Sequence, residues 1–296
     1  MKTLILNSSN VVSGSNNTIF RYTFPNGGYN FKDDALAVQE VALYFSAFNI
    51  TIDYNNNSFS YIWIDGTTHQ VLIPDGYYSI TQLNEYLQYV MIQNKHYLVD
   101  SAGDYVYLLE IIINDPRYAV QLNEYLISTT IATTNSWTLP TGATWVLPTN
   151  SILPYFVISS NNFKDVIGYS AGQYPSGTIT GVPPAQVQTP SYAVSQSQLS
   201  STAPQVTPYS SFLMYCSLVN NRSVIPSQLI FSFTPTNAVF GGLSSYQVSE
   251  LAWNKVEDGQ YNDFIIEFRD QLGRQVKFQD PNTLITLITK NKYETY

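Results

Sequence analysis

Two hydrophobic periods run along this chain, and they are unevenly shared. The helical one is clear in a single stretch. Leu83, Tyr86, Leu87, Val90 and Met91 recur at three- and four-residue spacing, with Gln82, Glu85, Gln88 and Gln93 between them, which predicts an amphipathic helix over 80–92. Ser79 stands as its N-cap, and Gln82 three residues on completes a capping box that satisfies two backbone donors of the first turn. Pro74-Asp75-Gly76 closes the short run Val71-Leu72-Ile73 just before it. A helix with one apolar stripe has to lay that stripe on something, and nearly everything else with a period reads as strand.

The period-two segments begin with Thr18–Phe24, stopped by Pro25-Asn26-Gly27-Gly28. Leu36 to Ile52 is long for one strand, and its apolar phase shifts from Val41, Leu43 and Phe45 to Phe48, Ile50 and Ile52, which predicts a bulge or bend near Ser46-Ala47. Phe59, Tyr61 and Trp63 share one face of a strand that turns at Asp65-Gly66 and pairs back through Val71–Ile73. Tyr105–Ile113 and Arg117–Ile127 flank the turn Asn114-Asp115-Pro116. Asn162–Gly168 reads as a short helical turn ended by Gly. Strand signals then resume at Phe212–Val219, Leu229–Phe233, Tyr246–Trp253, Asp263–Phe268 and Leu284–Thr289. Roughly nine to twelve strands with closely spaced turns predict an all-β fold, a single jelly-roll β-sandwich of two packed antiparallel sheets with one helix in a long connection.

Charge changes the picture of domain organisation. Between Glu124 and Arg222 the only charged residues are Lys164 and Asp165, and nine of the 15 prolines lie there, with 172–210 rich in Ser, Thr, Gln and Pro. That block predicts an inserted domain at 126–210 with long polar loops, carried by a jelly roll built from 1–125 and 211–296. Residues 7–17, NSSNVVSGSNN, lack any period, so 1–17 is expected to be a flexible N-terminal arm. Lys290–Tyr296 is expected to be a matching tail.

Composition narrows the function classes. Asp, Glu, Lys and Arg together make up 11% of the chain, against about 25% in ordinary soluble domains, so Asn, Gln, Ser, Thr and the 24 tyrosines must cover most of the surface. Such an exterior fits proteins packed against copies or partners. A net charge of −8 with pI near 4.6 excludes a sequence-independent nucleic-acid binder, which needs a basic stripe. No apolar run approaches a membrane span, and Met1–Leu6 is too short for a signal-peptide core. With one cysteine, Cys216, no intrachain disulfide can form, so synthesis in a reducing cytoplasm is expected. The glycosylation-like triplets at Asn16, Asn49, Asn56 and Asn221 then reflect only an Asn-rich chain.

A search for chemistry finds little. The two histidines, His69 and His96, have no metal-ligand spacing, and His69 near Asp65 at a hairpin reads as structural. Cys216 lies in the apolar run Phe212-Leu213-Met214-Tyr215-Cys216 and reads as inert packing. Asp100/Asp104 and Asp263/Glu267 are carboxylate pairs that a glycosidase could use, but Glu267 alternates with Ile266 and Phe268 as a solvent-facing residue does. No nucleophile elbow, P-loop or dinucleotide fingerprint is present. The expectation is a protein that is not an enzyme, with no catalytic, cofactor-binding or metal residues.

The stretches YNNNSFSYIW (54–63), VLIPDGYYSITQLNEYLQ (71–88), NNFKDVIGYSAGQYP (161–175), FLMYCSLVNN (212–221) and DFIIEFRDQLGRQVKFQDPNTLITL (263–287) occur in this order. Together they resemble the penton, or minor capsid, proteins of virophages and Maverick/Polinton-like elements, in particular those of the Mavirus type. The resemblance spans most of the chain except 126–160 and 176–210. It implies a virion protein: a single jelly roll forming a homo-pentamer at the icosahedral five-fold vertices, with an apical domain facing outward. It also implies double-jelly-roll major capsid trimers as neighbours and a place in the capsid after synthesis in the host cytoplasm. If the insertion projects from the capsid, its Trp and Tyr residues are available to contact other vertex subunits or a host surface. Ring closure by heterologous contacts suits a Tyr-rich, weakly charged subunit, and the arm and tail would order on assembly. A β-sandwich carbohydrate-binding or fibre-type receptor-recognition module is the competing expectation, since exposed rings can stack on sugars.

Overall fold

In a computed structural model, residues 1–175, 194–221, 225–235 and 239–291 are described. They divide by contacts into two compact units, 1–48 with 209–291, and 49–208. The first unit opens with β1 (Lys2–Leu6), β2 (Ile19–Thr23), β3 (Tyr29–Phe31) and β4 (Asp34–Tyr44). The chain then builds the second unit: β5 (Ser58–Ile62), β6 (Thr68–Leu72), α1 (Ile80–Gln93), β7 (Leu98–Val99), β8 (Tyr105–Val106), β9 (Leu109–Asn114), β10 (Ala119–Glu124), α2 (Thr129–Thr134), β11 (Tyr155–Ile158), α3 (Phe163–Ile167), β12 (Gly172–Tyr174) and β13 (Gln196–Leu199). It returns to complete the first with β14 (Phe212–Cys216), β15 (Leu229–Phe233), β16 (Leu243–Gln247), β17 (Asn254–Lys255), β18 (Gly259–Tyr261), β19 (Asp263–Asp270) and β20 (Thr283–Asn291). The strands outnumber the nine to twelve expected because many are pieces of two to five residues.

The first unit is a jelly roll. One sheet runs β1-β20-β4-β16, with β17 also on β4, and the other runs β15-β14-β19-β2. Counting its eight principal strands in chain order, these are 1-8-3-6 and 5-4-7-2, two interlocked Greek keys, with antiparallel pairing throughout. The inward faces meet in an aromatic core. Phe233 lies 4.4 Å from Tyr246 and Phe212 lies 5.3 Å from Phe278, ring centre to ring centre. Alternation explains the faces: in β19, Phe264, Ile266 and Phe268 are buried while Ile265, Glu267 and Arg269 stay partly open.

The second unit occupies the connection between the third and fourth principal strands. Its core joins α1 to both of its larger sheets, β12-β11-β5-β6 and β13-β10-β9. Ser79 Oγ accepts from Gln82 N (3.2 Å) and Gln82 Oε1 accepts from Ser79 N (2.9 Å), the expected capping box. Ile80, Leu83, Leu87 and Met91 are buried beside Phe59, Trp63, Ile111 and Leu122. Tyr86 Oη donates to Leu72 O, and Ile111 N donates to Asn84 Oδ1, which ties the helix to β6 and β9. Phe163 of α3 stacks on Phe59, and Gly168 ends α3 in a left-handed conformation (φ 75°).

Several expectations are corrected. The junction expected at 125/126 lies at 48/49, because the apolar faces of β5, α1, β9 and β10 bury against Trp145, Phe156 and Phe163. The helix at 80–93 therefore belongs to the inserted unit, and α2 and α3 accompany it. The 1–17 segment is not a flexible arm: Lys2–Leu6 pairs in register with β20, Leu6 opposite Ile285 with both side chains buried, and Asn7 caps a 3-10 turn at Ser8–Asn10.

The strand break expected near Ser46-Ala47 is present, since β4 ends at Tyr44 and the chain bends at Asn49, while a separate bulge sits at Gln39, where the β4–β20 register shifts between Thr286 and Leu287. Within 126–210 the described residues carry the short elements α2, β11, α3, β12 and β13 joined by longer irregular connections, so the block expected to be β-rich holds two helices as well as three strands. β13 is a strand whose buried face is made of Gln196 and Gln198. The part of the expected loops at 176–193, and the tail at 292–296, lie outside the described residues, whereas Lys290 and Asn291 belong to β20.

Candidate functional site

The outward face of the β1-β20-β4-β16 sheet is the most unusual surface of the jelly-roll unit. Register places Ile5 opposite Thr286, Leu284 opposite Ala42, Ala42 opposite Ser245, and Tyr44 opposite Leu243. Because residues directly opposite one another share a face, Ile5, Leu284, Ala42, Tyr44 and Leu243 point the same way. Ile5 is 52% exposed, Leu284 38% and Leu243 62%. Glu40 brings charge to this face, and Ser245 Oγ donates to its Oε1 at 3.0 Å. A sandwich sheet facing water normally alternates apolar-in and polar-out. Here four adjacent strands carry apolar or aromatic side chains on the outside as well.

The outward face of the opposite sheet is different. Glu267 and Arg269 form a two-point ion pair (2.8 and 3.0 Å), Arg269 also lies over the Tyr215 ring, and Arg21 faces Asp263 at 4.0 Å. Charges whose partners lie on the same sheet need no second molecule. The two outward faces therefore differ in degree: on this one the charges are paired within the sheet beside partly open Leu213 and Ile265, while the other exposes Ile5, Leu243 and Leu284 among Thr286, Glu40 and Ser245.

The residues with chemical potential are held in structural roles. Asp100 Oδ1 accepts from Ala102 N and Asp104 N, which closes a turn. Asp263 and Glu267 lie four residues apart on β19, about 13 Å along an extended strand, and each faces its own arginine. Cys216 is fully buried, and burial pushes its thiol up to about 12, so it carries no thiolate at neutral pH. Among the described residues no group of three or more His, Cys, Asp or Glu side chains is arranged to hold a metal ion. No described helix is long and apolar enough to cross a membrane.

The two histidines, 27 positions apart in sequence, meet in the inserted unit with ring centres 4.4 Å apart. Trp63 stacks on His96 at 4.5 Å, and Trp145 meets Trp63 edge-on. Tyr61 Oη lies 2.9 Å from His96 Nδ1 and accepts from Asn94 Nδ2, while Thr67 Oγ1 lies 2.6 Å from His69 Nε2 and donates to Asp65 Oδ1. In this cluster the buried Trp63 Nε1 is left without a hydrogen-bond partner, covered by its stacked neighbours. Rings packed face to face and edge to face in this way form a core rather than a site open to substrate. No spacing rule could have paired these histidines, because the β5–β6 hairpin and the end of α1 bring them together only in three dimensions.

No family model matches the sequence, and no curated protein does. Among solved structures the chain is similar to the selenomethionine-labelled mavirus penton protein, with 11% identity over 98% of this chain and 97% of that one and a TM-score of 0.47. It is also similar to a chain of the Sputnik virophage structure determined by cryo-electron microscopy, with 11% identity over the full length of both and a TM-score of 0.37.

Proposed function

We propose that the chain is a structural virion protein, the subunit of a pentamer that closes the five-fold vertices of an icosahedral capsid. The observation that carries this reading is the outward face of the β1-β20-β4-β16 sheet, where Ile5, Leu243 and Leu284 stand exposed together. Exposed apolar side chains on contiguous strands mark a surface that another molecule covers. A second copy of this chain is the occupant that also fits the low charge of the whole protein, since few charges have to be desolvated when copies meet. The sequence resemblance to virophage penton proteins points the same way. In this reading the jelly roll makes the lateral contacts and meets the surrounding major capsid trimers, while the inserted unit, 49–208, is the apical domain. No catalysis is involved.

The competing role, a sandwich that stacks sugars on its own rings, is disfavoured by where those rings are. Phe20, Phe212, Phe264 and Phe268 are buried between the sheets. Sedimentation velocity on the whole chain tests the proposal. A species of five times the 33.3 kDa protomer is expected, and Leu243→Lys combined with Leu284→Lys should return it to monomer while leaving the circular dichroism of the fold unchanged. A wild-type protein that stays monomeric at concentrations well above about 10 μM, or a pentamer indifferent to both lysines, would remove the apolar face as the basis of assembly.

A further inference from the structure

The inserted unit holds an open cleft of about 550 Å³, within the size range of small-molecule sites. Tyr105, Tyr107, Tyr125 and Trp137 line it together with Glu110 and Ser195. These residues come from β8, the β8–β9 connection, β9 and the segments that follow β10, follow α2 and precede β13, so the cleft is assembled by the fold and not by one loop.

Its aromatic walls are held in place. Tyr105 is 50% exposed, and its ring is backed by buried Tyr97 with ring centres 4.4 Å apart. Trp137 is fixed on both sides, by its backbone N–H donating to Ala132 O and by Thr138 pairing with Val99. Its polar groups are equally placed. Tyr125 Oη (2.7 Å) and Asn123 Nδ2 (3.3 Å) both donate to Glu110 Oε2, which sets the direction of the carboxylate. Leu126 N donates to Ser195 Oγ at 3.0 Å.

Accessible rings beside an oriented carboxylate suit a ligand with apolar C–H faces and hydroxyl groups around its rim. A pyranose has both. Its C–H face packs on an aromatic ring, and its hydroxyls donate to a carboxylate oxygen. An anionic ligand is disfavoured by Glu110 and by the net charge of −8. A small quaternary ammonium would sit among the rings, but it would leave most of the 550 Å³ unfilled. We propose that this cleft binds a neutral oligosaccharide, with sugar faces stacked on Tyr105 and Trp137 and hydroxyls donating to Glu110. The site uses residues of the inserted unit alone, so it stands whether or not the jelly-roll unit assembles into pentamers.

The test is calorimetric titration of the whole chain with lactose, cellotriose, chitotriose, sialyllactose and choline chloride. At least one neutral sugar should bind with a Kd of about 1 mM or tighter, and sialyllactose should bind more weakly than lactose. Trp137→Ala and Tyr105→Ala should each weaken the neutral sugar about tenfold or more. Tyr105 is half exposed, so its variant decides the matter if loss of Trp137 unfolds the unit. The proposal is overturned if no neutral sugar binds at about 10 mM, if the Tyr105 variant binds as well as the wild type, or if choline alone binds. Sugar binding by a monomeric protein would defeat the assembly reading and leave this one standing.

Discussion

Two buried ionisable groups in the inserted unit, His96 and Glu124, should give it opposing responses to pH. His96 is 4% exposed. Burial, and then the charge of neighbouring His69, hold its pKa down at about 4 from the ordinary 6.5, against the pull of Asp65. Between those values the unfolded chain binds a proton that the folded one refuses, so stability rises with pH from about 4 to 6.5 and is lost on acidification. The full gap corresponds to about 3 kcal/mol. Partly exposed His69 gives water access to the neighbourhood, which reduces the working figure to about 2 kcal/mol. Glu124 behaves in the opposite sense. It is fully buried, Gln198 Nε2 donates to its Oε1 at 3.1 Å, and its Oε2 has no hydrogen-bond partner. Burial pushes its pKa up from 4.5 to about 8. The folded state therefore keeps a proton that the unfolded chain releases, and stability falls as pH rises from 4.5 to about 8, by on the order of 4–5 kcal/mol.

Urea unfolding followed by tryptophan fluorescence reads this directly, since Trp63, Trp137 and Trp145 lie in the inserted unit. The wild type should fall only gently between pH 4.5 and 6.5, where the two slopes oppose, and more steeply from 6.5 to 8. Glu124→Gln should uncover the rise on the acid side and abolish the alkaline fall. His96→Gln should leave a steady decline from 4.5 to 8. Parallel curves for all three proteins would refute the reasoning, because the pH dependence would then belong to other groups.

Replacing Ser79 by Ala should lower the stability of the inserted unit by about 1 kcal/mol in the same urea assay, and an unchanged value would show that the capping box contributes nothing. Replacing 49–208 by a short Gly/Ser linker should leave a soluble β-rich protein. Tyr209 Oη donates to Ala47 O at 2.7 Å, so the chain leaves and re-enters the jelly roll side by side. An insoluble product would show that the jelly roll does not fold without its insertion.

The sequence made some elements plain because local and tertiary requirements coincide in them. In α1 the capping box and the apolar stripe mark the same start, and in β5 the face of Phe59, Tyr61 and Trp63 is buried as its alternation implies. β1 was hidden because only Leu6 of its five residues is fully buried, and its partner strand lies at the far end of the chain. β13 was hidden for another reason: its inward residues are glutamines, and Gln198 serves the buried Glu124. The domain junction was misplaced because charge reports surfaces while cores define units. Glu85, Lys95, Asp100 and Asp104 give 49–125 an ordinary surface, yet its apolar residues share one core with Trp145, Phe156 and Phe163.

The candidate contact face was written into β20 all along. In Thr283–Thr289 apolar residues occupy both phases of the strand, with Ile285 and Leu287 in one and Leu284 and Ile288 in the other. Strands with apolar residues on both faces belong to sheets covered on both sides. One cover is evident, since Ile285 and Leu287 are buried within the sandwich. In the other phase Ile288 is buried too, while Leu284 remains open. Register aligns Leu284 with Ala42 and brings Ile5 and Leu243 to the same face from the two edge strands. These positions are far apart in the chain, so no single segment displays the patch. A sequence shaped only for a solitary jelly roll has no need for apolar residues at Leu284, Ile5 and Leu243 together. Their convergence on one face is the physical reason to seek a second protein there.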